Sequence, residues 1–364
     1  MSALGVDAVS VVSVSVVICN YNGEGHLEHC LGAIEQLAGP IDEVLMVDNA
    51  STDASVKLVE ERFPSVRIVH SGGNLGPACA RNIGMREAKN RWVLAVDNDA
   101  VLEPNVLTRL IEAATSRPDV ALVQPRSVFS TEPSRVHYDG GSFHYAGLIS
   151  LRNFYVPQSE AIGEGIVEVD CAVSVGLLLD RDLVLEFGGY EEGFFILFED
   201  LDLSYRLRSA GKLVLSVEDV LIHHRGGTAG ISFREGKSYP RSRVFFHSRN
   251  RWLFLARCYR LRTLIVAAPG LLLYELAWFG FAVLGGNLFG WLEGKWAFVR
   301  LLPRVLRDRK EIAARRQVRD RDLLIHGPLT TTPDVAAQGF KQRILGGLDS
   351  ALSLWWKIAR AFSA

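Results

Sequence analysis

The chain has 364 residues, 40 Lys plus Arg against 41 Asp plus Glu, and 48% hydrophobic residues, which suits one large or two ordinary domains and excludes disorder as its main theme. A net charge of −1 supplies no global basic field for nucleic acid. Five scattered cysteines without a C-x-x-C pair suggest neither a disulfide framework nor a zinc knuckle, and fit a reducing, cytoplasmic compartment.

Residues 9–19 (VSVVSVSVVIC) are apolar, but no Lys or Arg precedes them and no small-residue cleavage site follows before NYNGEGH. They read as a buried strand rather than a signal peptide. Helical spacing over 26–37, 54–63, 77–89 and 104–115 alternates with strand-like runs at 43–47, 66–70, 92–96 and 120–123. Helical crossovers of about a dozen residues are what parallel strand pairing requires, so the expected class is α/β with a doubly wound sheet.

In such a sheet the ligand lies beyond the carboxyl ends of the strands. Those positions hold Asn20, Tyr21 and Asn22 after the first strand, then Asp48 and Asn49, then Ser71 to Asn74, then Asp97, Asn98 and Asp99. Any one of these loops is ordinary turn chemistry, but four at one sheet edge mark a site. Residues 21–25 (YNGEG) do not make a G-x-G-x-x-G dinucleotide loop, and no G-x-x-x-x-G-K-S/T occurs. Asp97 and Asp99 form a D-x-D turn that can share Mg²⁺ or Mn²⁺ with a diphosphate.

In order, VVICNYN, VDNASTD, GGNLGPACARNIG and VDNDA resemble the family 2 glycosyltransferases of GT-A fold, rhamnosyltransferase-like members among them, over residues 12–228. The resemblance implies a mixed, doubly wound GT-A sheet and a nucleotide-sugar donor. It puts Asp48 and Asn49 near the base, with Asn74, Gly76, Arg81 and Asn82 close to the nucleotide. Asn20, Tyr21 and Asn22 join that donor site, while Asp97, Asn98 and Asp99 flank diphosphate and metal. Asn49 stands where many members carry a second Asp.

From residue 124 the alternation breaks. Residues 126–165 read as irregular or short antiparallel structure, an acceptor-side insertion, and 167–179 return to strand-like apolarity. Glu199, Asp200 and Asp202 open a helix of about three turns. Alone they read as residues favoured by the helix macrodipole. GGYEEGFF followed by FEDLDLSYR, however, resembles the family segment whose Asp after Glu is the general base, which implies Asp200 as base and Glu199 as a helper at the acceptor.

In LIHHRGGT (residues 221–228), His223 and His224 are candidate metal or diphosphate ligands. Adjacent residues of a strand point opposite ways, so one of them faces the site, and His224 is the favoured one. Arg225, Gly226 and Gly227 read either as a phosphate-covering loop or as a plain turn.

No Lys or Arg lies between Arg262 and Lys295, and only Glu275 and Glu293 are acidic there. That is long enough to cross a bilayer, but Pro269, Gly270, Gly285 and Gly286 divide it, and RSRVFFHSRNRWLFLARCYRLR on one side holds seven Arg. Positive flanks on both sides suit a re-entrant hairpin or interfacial helix pair at the cytoplasmic membrane face; the alternative is a buried hairpin at a homo-oligomer interface. The last segment, GGLDSALSLWWKIARAF, reads as an amphipathic helix whose Trp355, Trp356, Lys357 and Arg360 face an interface or a neighbour.

The expected organisation is therefore a nucleotide-sugar-binding half (1–125), an acceptor and base half of the same domain (126–230), an Arg-rich helical extension with an apolar segment at 263–294 (231–325), and a linker with the terminal helix (326–364). The expected activity is inverting, Mg²⁺- or Mn²⁺-dependent transfer of a hexosyl or deoxyhexosyl group from a nucleotide sugar to a glycan or polyprenyl-linked acceptor. A sugar nucleotidyltransferase would show a G-x-G-x-R loop near the first strand, which is absent. A non-catalytic membrane scaffold is disfavoured by the set Asp97, Asp99 and Asp200.

Overall fold

The computed structural model describes residues 12–225, 239–331 and 339–364. Residues 9–11 of the expected first strand, Gly226 and Gly227, and 332–338 of the expected linker lie outside them.

The first half runs β1 (Val14–Asn20), α1 (Leu27–Glu35), β2 (Ile41–Asp48), α2 (Ser55–Arg62), β3 (Arg67–His70), α3 (Gly76–Glu87) and β4 (Trp92–Asp97). Then come β5 (Ala100–Leu102), α4 (Val106–Thr115) and β6 (Val120–Phe129). β1 pairs in parallel with β2 and β4, placing Asn20 beside Asp48 and Cys19 beside Asp97. That register brings the polar strand ends to one edge. Alternate β1 side chains serve two cores: Val14, Val16 and Ile18 meet Leu27, Leu31 and Leu110, while Val17 meets Ala78, Ala80 and Met85.

The second half holds β7 (Glu132–Tyr138), β8 (Gly141–His144), β9 (Leu148–Leu151), β10 (Ile166–Val169), β11 (Gly176–Asp180), α5 (Arg181–Glu186), α6 (Glu199–Ser209) and β12 (Leu213–His224). The main sheet is mixed, in the order β10-β12-β6-β11-β4-β1-β2-β3, with β5 and β7 attached at β12 and β6. β11 inserts antiparallel between β4 and β6. The apolar run at 167–179 is thus two strands in different places in the sheet. Conversely, Leu221–His224 of LIHHRGGT continue the strand that starts at Leu213, and together they form β12, whose register on β6 shifts between Val217 and Leu221.

The C-terminal third is helical: α7 (Arg241–Cys258), α8 (Leu261–Leu284), α9 (Leu288–Arg315), the short α10 (Asp320–Leu323), the two-residue β13 (Leu324–Ile325) and α11 (Phe340–Ala359). α8 passes through Pro269 without a break, so the Pro does not divide the apolar stretch; the turn falls at Gly285 and Gly286. Among the described residues α8 is the helix long and apolar enough to cross a membrane, and only 17% of its apolar window is buried.

These helices share a core with the second half of the sheet region, in which Phe143, Tyr145, Phe194 and Tyr205 meet Phe254, Leu271 and Trp356. Trp356 is fully buried and stacks on Tyr145, with ring centroids 4.5 Å apart and planes 3° apart. Trp355 Nε1 donates to the Val266 carbonyl at 3.1 Å. The aromatic pair expected at an interface or against a neighbour therefore fastens α11 to its own chain.

Candidate active site

Asp97 ends β4, Asp99 follows it, and His224 ends β12; β5 pairs back on β12 and puts Ala100 opposite His224. One ligand atom from each of Asp97, Asp99 and His224 lies within 4.8 Å of the others. His224 Nε2 is 3.4 Å from Asp99 Oδ2, and its Nδ1 is 3.2 Å from His137 Nδ1 on β7. Neighbouring His223 turns the other way, its Nε2 3.5 Å from Glu103, and does not join the group. Alternation along β12 separates the two rings. Two carboxylates and one imidazole are a donor set that suits a divalent cation with positions left for diphosphate oxygens.

Arg81, buried on α3, donates from one nitrogen to Asp97 Oδ1 at 2.7 Å and to the Ser174 carbonyl at 2.8 Å. Ser174 in turn holds Asp200: its backbone N–H donates to Oδ2 at 3.1 Å and its hydroxyl donates to Oδ1, while Tyr190 shares a 2.8 Å bond with that hydroxyl. A continuous polar chain thus links Asp97 to Asp200 through Arg81, which the sequence motif singles out, and Ser174, which has no recognisable signal in the sequence. Burial lifts the Asp97 carboxyl to about 6 against the pull of Arg81, with Asp99 adding to the lift and His224 opposing it.

Glu199 is buried, with Oε1 3.7 Å from Arg81 and Oε2 without a hydrogen-bond partner. Burial and then the neighbouring Asp200 push its carboxyl well above the ordinary range. It packs beneath the site, at odds with an acceptor-touching helper, because α6 turns its side chain toward Arg81.

The donor-side residues divide into tied and open groups. Asn20 is buried and donates to Asp48 at 3.1 Å and to Ser51 and Ser55 at 3.0 Å, while its Oδ1 accepts from Asn98 at 2.8 Å. It and Asn98 tie the strand ends together. Asn82 exchanges 2.8 Å bonds with the backbone of Tyr190 and donates to Glu192, so its amide faces the 190 loop rather than the nucleotide cleft. Asn22 accepts from the Thr52 backbone at 2.8 Å, and Tyr21 is 46% exposed.

Asn49 is buried, donates to the Gly76 carbonyl at 3.2 Å, and leaves Oδ1 without a partner. Asn74 Oδ1 accepts from Gly76 N at 3.2 Å. Gly76 has φ +82°, and a Cβ there would sit 2.5 Å from the Phe195 carbonyl, so only glycine fits where the donor-side turn meets the loop before Asp200. Arg225, the last described residue of its loop, bonds His26 Nδ1 at 3.1 Å.

Residues 15–172 match the family model Glycosyl transferase family 2. The chain is 26% identical over 264 residues to the N-acetylglucosaminyl-diphospho-decaprenol L-rhamnosyltransferase of Mycobacterium tuberculosis, covering 66% of this chain and 83% of the relative. It is likewise 26% identical over 235 residues to the amylovoran biosynthesis glycosyltransferase AmsE of Erwinia amylovora, covering 63% and 82%. Among solved structures, GalNAc-T7 with UDP, GalNAc and Mn²⁺ aligns with a TM-score of 0.57 at 15% identity, over 72% of this chain and 51% of that one. Staphylococcus aureus TarS 1-349 with UDP aligns at 0.51 and 16% identity, over 84% and 88%. At such identities these two share the fold. The strand-end motifs, the mixed sheet and this match agree that residues 15–172 make up a glycosyl transferase family 2 region, set in a GT-A-like fold.

Proposed function

We propose that the chain moves a hexosyl or deoxyhexosyl group, with inversion and with a bound Mn²⁺ or Mg²⁺, from a nucleotide sugar to a hydroxyl of a lipid-linked saccharide at the cytoplasmic membrane face. The observation that carries this is the convergence of Asp97, Asp99 and His224 within 4.8 Å, joined to Asp200 through Arg81 and Ser174. Asp97, Asp99 and His224 are the residues that would hold the cation, which when bound supplies neutralising charge for a diphosphate leaving group.

Asp200 accepts the proton of the acceptor hydroxyl while that oxygen forms its bond to the anomeric carbon and the bond to the diphosphate oxygen breaks. A single displacement inverts the anomeric centre. Ser174 keeps the Asp200 carboxylate in one orientation, so the proton acceptor is in position before the acceptor sugar arrives. Asn49, with a buried and unpartnered Oδ1 next to the Gly76 turn, offers an acceptor to an N–H of the base. The decaprenol-linked substrate named for the Mycobacterium relative supports a lipid-linked acceptor.

The test is nucleoside diphosphate release from a panel of nucleotide sugars, with Mn²⁺, Mg²⁺ or chelator and with lipid-linked acceptors, followed by NMR of the product's anomeric configuration. Acceptor-dependent release that chelator abolishes and an inverted product are expected. A retained configuration, or full turnover in chelator, overturns the mechanism.

A further inference from the structure

We infer that α8 and α9 together form a docking face for an anionic phospholipid bilayer, with α8 lying in the plane of the interface rather than crossing it. The inference rests on the proposed lipid-linked acceptor only for its purpose; its evidence is the helix surface itself. Leu261, Ile265, Leu272, Leu276, Phe279 and Val283 are all exposed. At about 100° per residue they fall in one stripe roughly 60° wide along the whole length of α8.

The opposite side of the helix is committed to protein. Thr263, Ala267, Gly270, Leu271 and Ala282 are buried. A Cβ on Gly270 would lie 2.1 Å from the Tyr145 hydroxyl, and Trp355 reaches the Val266 carbonyl. A helix whose back rests on α9, α11 and Tyr145 cannot be ringed by lipid as a lone crossing helix is, although its length suffices for a crossing.

Charge is sorted to match. Glu275, the one carboxylate of α8, turns inward, 2.9 Å from Arg251 and 2.6 Å from Lys295, and accepts from Trp252 and Trp291. Nothing acidic remains on the outer stripe. On α9, exposed Phe289, Leu292, Trp296 and Val299 extend the apolar face, and exposed Arg300 and Arg307 stand on its flank beside Glu293, whose charge is paired with Arg241. Exposed Arg260 and Arg262 mark the start of α8. Apolar side chains bordered by cations fit acyl chains bordered by anionic headgroups; a second copy of this chain would bring its own cations against them.

The experiment floats the full chain on vesicles of phosphatidylcholine alone and of phosphatidylcholine with phosphatidylglycerol, then washes the bound fraction with alkaline carbonate. Binding to the anionic vesicles that carbonate removes is expected, and Leu272→Glu with Phe279→Glu should lower it by about tenfold or more. An unchanged melting temperature in that variant shows that the fold is kept. Resistance to carbonate overturns the in-plane geometry. A chain that ignores anionic vesicles overturns the bilayer as occupant, and light scattering then tells a dimer that the double variant dissociates from a monomer. Turnover on a water-soluble acceptor analogue reads the catalytic proposal separately, since it needs no vesicle.

Discussion

The side-chain amide of Asn250, on α7, donates to the backbone carbonyl of Leu197 at 2.8 Å, three residues before Asp200. The same nitrogen reaches the carbonyls of Ile196 at 2.8 Å and Phe194 at 3.0 Å, and Arg249 reaches those of Phe194 and Gly193. Phe195, Leu197 and Phe198 in that loop have φ of 64°, 67° and 76°, a left-handed region that costs non-glycine residues about 1 kcal/mol or more each. The C-terminal extension thus holds a strained loop that the catalytic half does not hold alone.

Asn250→Ala should therefore cost about 1–3 kcal/mol of stability, from carbonyls left without a donor. It should also lower kcat on the order of tenfold with little change in donor KM, because the loop orients Asp200 and not the nucleotide. Asn250→Asp should not rescue, since a carboxylate offers those carbonyls no donor. A variant whose KM rises while kcat holds would remove the positioning role.

Asp200→Asn retains the size of the carboxylate and one of the two bonds it accepts from Ser174, but cannot take the acceptor's proton. Transfer should fall by roughly 10²–10⁴-fold while nucleotide-sugar affinity stays within about twofold, read by steady-state kinetics beside calorimetric titration of the donor. Parallel loss of donor affinity would mean that Asp200 serves binding instead.

His224 and His223 give an internal control for the cation site. Manganese affinity, followed by electron paramagnetic resonance of free Mn²⁺, should drop by about 10–100-fold or more in His224→Ala. It should be unchanged in His223→Ala, whose ring faces Glu103. Equal losses would show that the adjacent imidazoles are not divided as the β12 alternation places them.

Much of the donor side was legible because periodicity and turn chemistry are local. β1 to β4 and their helices follow from the 2.0 and 3.6 residue patterns, and the parallel register then gathers Asn20, Asp48 and Asp97 at one edge. The base side was less so. Nothing local shows that β11 enters antiparallel beside β4, yet that pairing puts Val175 opposite the end of β4, its carbonyl accepting from the Asp97 amide, and sets Ser174 between Arg81 and Asp200. Asn82 and Glu199 look like site residues by the family resemblance of their motifs and are turned to Tyr190 and Arg81 by tertiary contacts. Trp356 illustrates the same limit, since amphipathic spacing shows that a face is covered and not by what.

Glu199 supplies a prediction in pH. Its carboxyl is raised above the ordinary value of 4.5, first by burial and then by Asp200, so the folded state holds this proton more tightly than the unfolded chain does. Between the ordinary value and the raised one, the native state binds more protons than the unfolded state, and stability falls as pH rises through that window. Glu199→Gln keeps the shape and removes the charge. Its melting temperature should exceed that of the parent protein at pH 8, with the difference shrinking as pH falls toward 5, where the parent carboxyl is protonated. Thermal melts of both proteins across that range decide it: a difference that is constant with pH, or that grows toward acid, would show that Arg81 at 3.7 Å compensates the buried charge and that Glu199 is ionised in the fold.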